Sequence, residues 1–118
     1  MGDRAWKAFE RKVAKILGGK RIPSSGAAPG FKGDVEHPLF FIECKWGKHI
    51  PKTIIEWYLK AKEQAKKESK IPIVVMKPKG KHEEYVVISL TDFAKLFSIV
   101  LAAFDDEDLE TLEDDENG

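Results

Sequence analysis

The chain has 118 residues, 42% of them apolar and 34% charged, with 20 Lys and Arg set against 20 Asp and Glu. That length suits one ordinary domain with a modest core, and it leaves association through an exposed apolar face as a route to further stability. A single cysteine, Cys44, excludes an internal disulfide framework, no Cys/His cluster has structural-zinc spacing, and no apolar run reaches membrane-spanning length, so a soluble, cytoplasmic protein without membrane contact is expected.

Asp3 is placed to cap a helix over 3–17 that stops at Gly18-Gly19, with Trp6, Phe9, Val13, Ile16 and Leu17 on one stripe and Lys7, Arg11 and Lys15 toward solvent. A short strand fits 20–22, and the Pro, Ser and Gly content of 23–30 predicts a loop. Segments 33–36 and 39–46 read as two strands of a hairpin turning near His37-Pro38, the second being the better core strand. Pro51 suits the first turn of a helix over 51–69 whose apolar repeat is Ile54, Tyr58, Ala61 and Ala65. The Ile/Val-rich run 71–76 predicts a buried strand, and 85–88, beyond the basic turn Lys77-Pro78-Lys79-Gly80-Lys81, an antiparallel partner for it. A last helix over 91–104 carries Phe93, Leu96, Phe97, Val100, Leu101 and Phe104 on its apolar pattern. The order α-β-β-β-α-β-β-α predicts an α/β fold with a mixed central sheet flanked by helices over 1–104.

Charge is segregated along the chain. Residues 105–118 hold nine acids and no Lys or Arg; taking those nine from 20 leaves 11 acids against 20 basic residues in 1–104, a net of +9. A polyanion is the natural partner of such a body, and Lys20, Arg21, Lys32, Lys48, Lys52, Lys77, Lys79 and Lys81 are the candidate phosphate contacts. The acidic segment has too little apolar content to pack and is expected to be disordered. It reads as a solubilising tail, as a docking peptide for a protein partner, or as a DNA mimic that shields the basic body.

The chemistry centres on Gly33-Asp34, eight intervening residues, then Glu43-Cys44-Lys45. Strand alternation sends Glu43 and Lys45 to one face and Ile42, Cys44 and Trp46 to the other, while a turn near Pro38 sets Asp34 opposite Glu43. Two carboxylates and one ammonium then meet at a sheet edge with charge left over for a divalent cation. Mg²⁺ suits this set, with Asp34, Glu43 and the Cys44 carbonyl as a partial shell completed by water and substrate phosphate. Lys45 would orient the attacking water or stabilise charge on the phosphate.

Asp34, Glu43 and Lys45, with apolar Phe40, Phe41 and Ile42 ahead of the glutamate, match the PD-(D/E)XK nuclease signature, and 4–89 resembles an archaeal-type Holliday-junction resolvase of the kind also found in some phages. The early helix with Glu10, the Ser-Gly loop ahead of the aspartate and the lysine-rich helix after Lys45 carry the resemblance beyond the bare motif. It implies a restriction-endonuclease-like fold and a homodimer that cuts four-way DNA junctions by paired nicks. The cation would be Mg²⁺, with Mn²⁺ as a substitute, and the setting the cytoplasm of a prokaryote or of a phage's host. Further roles follow from the same resemblance: Glu10 reaches the metal site, Ser24 or Ser25 positions the scissile strand, and Gln64 is an auxiliary candidate. On a helical wheel with Trp6 as origin, Glu10 stands at about 40°, beside an apolar stripe spanning roughly 280° to 20°. The chain departs from the signature at Gly33, where a proline is named, and its doubled serine leaves the choice between Ser24 and Ser25 open.

Plainer readings stand beside these. In these Asp34, Glu43 and Lys45 are no more than a surface ion pair on an ordinary hairpin, Glu10 is a solvated helix residue beside Lys7, the serines are turn formers and Gln64 is a solvated helix residue. His37, His49 and His82 are taken as surface residues, and Trp57 and Tyr58 as packing or dimer contacts. Phe93, Leu96, Phe97, Val100 and Leu101 offer a dimer surface. The rival functions are a nuclease of the same superfamily acting on flaps, mismatches or duplex ends, and a DNA-binding module that keeps the fold without catalysis.

Overall fold

A computed structural model describes residues 2–23 and 33–104. Their element order is α1 (Gly2–Leu17), β1 (Lys20–Arg21), β2 (Val35–Glu36), α2 (Lys52–Lys67), β3 (Val74–Met76), β4 (Tyr85–Val87) and α3 (Leu90–Ala103). The chain is thus a mixed α/β protein, and no helix among the described residues is long and apolar enough to cross a membrane. Two compact units form: the described part of 1–50 joined by 97–104, and Pro51–Leu96. The hydrogen-bonded ladders are two separate antiparallel pairs, β1 with β2 and β3 with β4, where one mixed sheet was expected.

In the first unit α1 buries Val13, Ala14 and Leu17, which meet Ile22, Val35 and Ile42 in a small core; Val35 is only 1% exposed. The helix ends where Gly18 takes φ 77 and the Gly19 amide donates to the Ala14 carbonyl at 2.8 Å. Gly19 permits the close approach that follows, since a Cβ there would run into the Glu36 carbonyl and the Val35 side chain. Register pairs Lys20 with Glu36 and Arg21 with Val35, and the Ile22 amide continues the ladder to the Asp34 carbonyl at 3.0 Å.

On the other edge of β2 the expected strand 39–46 is reduced to one bridge, Val35 with Ile42, supported by the Asp34 amide donating to the Ile42 carbonyl at 2.7 Å. Side chains take the amides that a longer ladder would have used. The Asp34 carboxylate accepts from the Cys44 amide at 2.7 Å, and His37 Nδ1 accepts from the amides of Leu39 at 3.0 Å and Phe40 at 3.3 Å. The hairpin turn lies where it was expected, but the arm after it is extended chain held by side chains.

His37 is a correction to the surface assignment made for all three histidines. It is half-buried, its Nε2 donates to the Leu17 carbonyl at 2.9 Å, and its ring stacks on Phe40 at 4.8 Å and tilts against Phe97 at 5.6 Å. These contacts fix the tautomer with the proton on Nε2, because Nδ1 is an acceptor. Phe97 also tilts against Phe40 at 4.9 Å, so one residue of the expected dimer surface is spent on packing inside the chain.

Gly33 holds φ +79, and a Cβ at this position would lie 2.5 Å from the Ile42 carbonyl oxygen. Proline, which fixes φ near −65°, cannot stand here. Gly33→Ala is expected to lower unfolding free energy by at least about 2 kcal/mol, combining left-handed strain with the clash, as read by urea denaturation. An unchanged midpoint would refute the close approach.

In the second unit α2 follows Pro51, whose φ of −59 starts the helix, and ends at Lys67, two residues short of the expected bound. The half-buried positions of its face include Ile54, Tyr58, Ala61 and Ala65, the stripe read from the sequence. β3 and β4 pair Val74 with Val87, Val75 with Val86 and Met76 with Tyr85 around the turn at Gly80, which has φ 81. β3 was expected to be buried and is not. Ile73 is 50% exposed and Val75 60%, because α2 packs on β3 and covers one face of a two-stranded sheet. α3 begins one residue earlier than expected, with Ser89 Oγ accepting from the Asp92 amide at 3.1 Å as its cap.

Candidate active site

Among the described residues Glu10 is the one buried charged side chain, at 4% exposure, and it sits on the α1 face that also carries Trp6 and Val13. An ionised carboxylate in that position must be paired, and the partner is Arg21 of β1, whose Nε donates to Glu10 Oε1 at 2.8 Å. The Arg21 guanidinium lies 5.7 Å from the Trp6 ring centre, as does Lys7 Nζ, so cation–π attraction ties the pair to the helix. Arg21 was expected on DNA phosphates. Its side chain, 19% exposed, is instead built into the wall behind the site, and the solvated reading of Glu10 is excluded.

Asp34 stands one residue before the Val35–Ile42 bridge and Glu43 one residue after it, so the hairpin register brings the two acids to the same end. Asp34 Oδ2 holds the Cys44 amide at 2.7 Å. Lys45 Nζ lies 3.6 Å from Glu43 Oε2 with the two side chains 77% and 57% exposed, a contact too open to stabilise the fold by more than a few tenths of a kcal/mol. Its value is positional: ammonium and carboxylate project to the same side, as alternation requires.

Cys44 reports the field between these groups. Burial raises its thiol pKa, and the carboxylates of Asp34, Glu10 and Glu43 raise it further, from 9.0 to about 11. Three acids therefore act on one point, where they oppose a new negative charge and favour a positive one. Alkylation of Cys44 by iodoacetamide at pH 8 is expected to run roughly tenfold to a hundredfold slower than that of an unfolded control, since the thiolate is the nucleophile. An equal rate would refute the converging field. The linkage has a definite sign: above pH 9 the unfolded thiol ionises while the native one stays protonated, so native stability falls as pH climbs from 9 toward 11.

Among the described residues no three His, Cys, Asp or Glu side chains form a metal-binding group. Glu10 is engaged by Arg21, Asp34 by the Cys44 amide and Glu43 by Lys45, so the expected set of Asp34, Glu43, Cys44 and Glu10 is not a closed cage. The donors fit a looser arrangement, in which a hard cation takes one or two carboxylates and keeps water and phosphate oxygens for the rest.

A cleft of about 240 Å³ opens beside these groups, lined by Trp6, Phe9, Glu10, Cys44, Lys45 and Trp46. Lys20 and Lys48 are exposed elsewhere on the same unit, while Lys52 and Gln64 are exposed on α2 in the second unit. Ser24, Ser25 and Lys32 lie outside the described residues, as does the acidic segment 105–118. The roles of Arg21 and His37, and the place of Trp46 on the cleft wall, were missed in the sequence. The first two depend on contacts 11 and 20 residues apart that no local pattern encodes, whereas an aromatic directly after Lys45 was a visible signal.

No protein-family model, curated protein or solved structure matches the chain.

Proposed function

We propose that the chain is a Mg²⁺-dependent, structure-selective DNA endonuclease that resolves four-way junctions by paired nicks, with a restriction-endonuclease-like fold and a homodimeric active form. The observation that carries the reading is the hairpin register that sets Asp34 opposite Glu43, beside the Glu43–Lys45 pair. Asp34 and Glu43 would hold the cation, with the Cys44 carbonyl and Glu10 in support. When bound, Mg²⁺ or Mn²⁺ supplies Lewis acidity toward the phosphodiester and lowers the pKa of the attacking water. Lys45, exposed and flexible, meets the negative charge that grows on the phosphate oxygens. Arg21 holds Glu10 in place, and Lys20, Lys48 and Lys52 hold the backbone without reading sequence. A two-fold dimer presents two such sites to opposing strands of a junction whose symmetry is similar.

The test is incubation of the protein with labelled four-way junction, flap, linear duplex and single-stranded DNA in Mg²⁺, Mn²⁺ or EDTA. Paired nicks in the junction alone, lost in EDTA, are the expected result. Cutting confined to flaps or ends selects another nuclease of this type, and salt-sensitive binding without cutting in either metal selects a non-catalytic module.

A further inference from the structure

The cleft beside the proposed reaction centre shares Glu10, Cys44 and Lys45 with it, but its three aromatic walls, Trp6, Phe9 and Trp46, have no part in holding a cation. Trp6 already faces two cations, Lys7 and Arg21, each at 5.7 Å. The Trp46 indole is 56% exposed and makes none of the ring contacts seen among the described residues, so it is the ring free to stack. At about 240 Å³ the space is below the roughly 300 Å³ at which pockets begin to enclose drug-sized molecules, and it suits one flat ring system.

Electrostatics select the kind of ring. Glu10 on the wall is paired with Arg21 at 2.8 Å, so its charge is already compensated inside the chain. Lys45 at the rim, 77% exposed, supplies a cation for a phosphate attached to the ring. An aromatic slot with a lysine at its mouth matches a nucleotide: base on Trp46, phosphate on Lys45.

We infer that this cleft takes a single unpaired nucleobase of the bound strand, stacked on Trp46, so that the phosphate met by Lys45 adjoins a base out of its stack. The inference rests on the nucleic-acid reading of the site and deepens it. A base inside a duplex cannot enter, so the strand recognised is one whose base is already unpaired or is cheap to unstack. Substrate choice then comes from local unpairing beside the scissile phosphate, and base identity matters little because every base has a π-face.

The experiment compares binding of the full chain to a thymidine oligomer and to an abasic oligomer with the same number of phosphates, both in EDTA. The abasic strand is expected to bind at least tenfold more weakly. Trp46→Ala should bring thymidine binding down to the abasic level and leave abasic binding unchanged, while Trp46→Phe keeps most of the difference. Equal affinity of the two strands, or a difference that survives Trp46→Ala, overturns the inference. A large fall in melting temperature for both Trp46 variants also overturns it, because the indole would then be covered by the chain itself. Cleavage plays no part in this readout, so base-dependent binding without junction nicking would remove the endonuclease and keep the base site, and nicking with equal strand affinities would do the reverse.

Discussion

Asp34→Asn is expected to reduce single-turnover junction cleavage by about 10²- to 10³-fold while leaving the fold and metal-free DNA affinity near wild type. Asparagine is chosen because Asp34 has two duties. Its Oδ2 accepts the Cys44 amide at 2.7 Å, and the amide oxygen of asparagine can do the same, whereas alanine would leave that donor unpaired at a cost of about 1–3 kcal/mol. The isosteric change removes only the charge. A second readout shows that the charge has gone: after burial, Asp34 is the largest cause that raises the Cys44 thiol, so in the variant its pKa should fall part of the way below about 11. A lowered thiol pKa with cleavage intact would remove Asp34 from the reaction.

Arg21→Met should destabilise the protein by about 3–5 kcal/mol in urea unfolding, since it leaves Glu10 buried at 4% exposure with its charge uncompensated. The reverse change is milder. In Glu10→Gln the Arg21 side chain is 19% exposed and can turn its remaining donors to water. The double variant, Glu10→Gln with Arg21→Met, is expected to recover much of the loss. A single Arg21→Met with wild-type stability would mean that the 2.8 Å pair contributes nothing, and the assignment of Arg21 as the anchor of Glu10 would fall with it.

What the sequence revealed follows from the range over which each signal acts. Helix bounds were legible because they are set within a turn: Gly18-Gly19 ends α1, Pro51 starts α2, and the stripe Ile54, Tyr58, Ala61 and Ala65 marks the covered face. The hairpin turn was legible from Pro38 and its flanking apolar runs, and it carried the relation of Asp34 to Glu43 with it. The strand after that turn was overdrawn. Alternation from Leu39 to Trp46 gives an extended chain, but it does not say whether amides bond to backbone or to side chains, and Asp34 and His37 take several of them. Burial of β3 was misjudged for a related reason, because an apolar run records what a strand can bury and not how many neighbours cover it. The placement of Asp34 opposite Glu43 was readable by spacing alone, while the partner of Glu10 was not.

The imidazole of His37 joins the last carbonyl of α1, the bend of the hairpin and, through Phe97, the closing turns of α3. The first unit is therefore discontinuous in sequence, its final piece supplied only after the whole of Pro51–Leu96 has intervened. Synthesis from the amino end must deliver the chain as far as Phe97 before this half can close. Shortening the chain ahead of residue 97 would take the Phe97 ring away from His37 and Phe40, so folding of the half that bears the acids waits on α3.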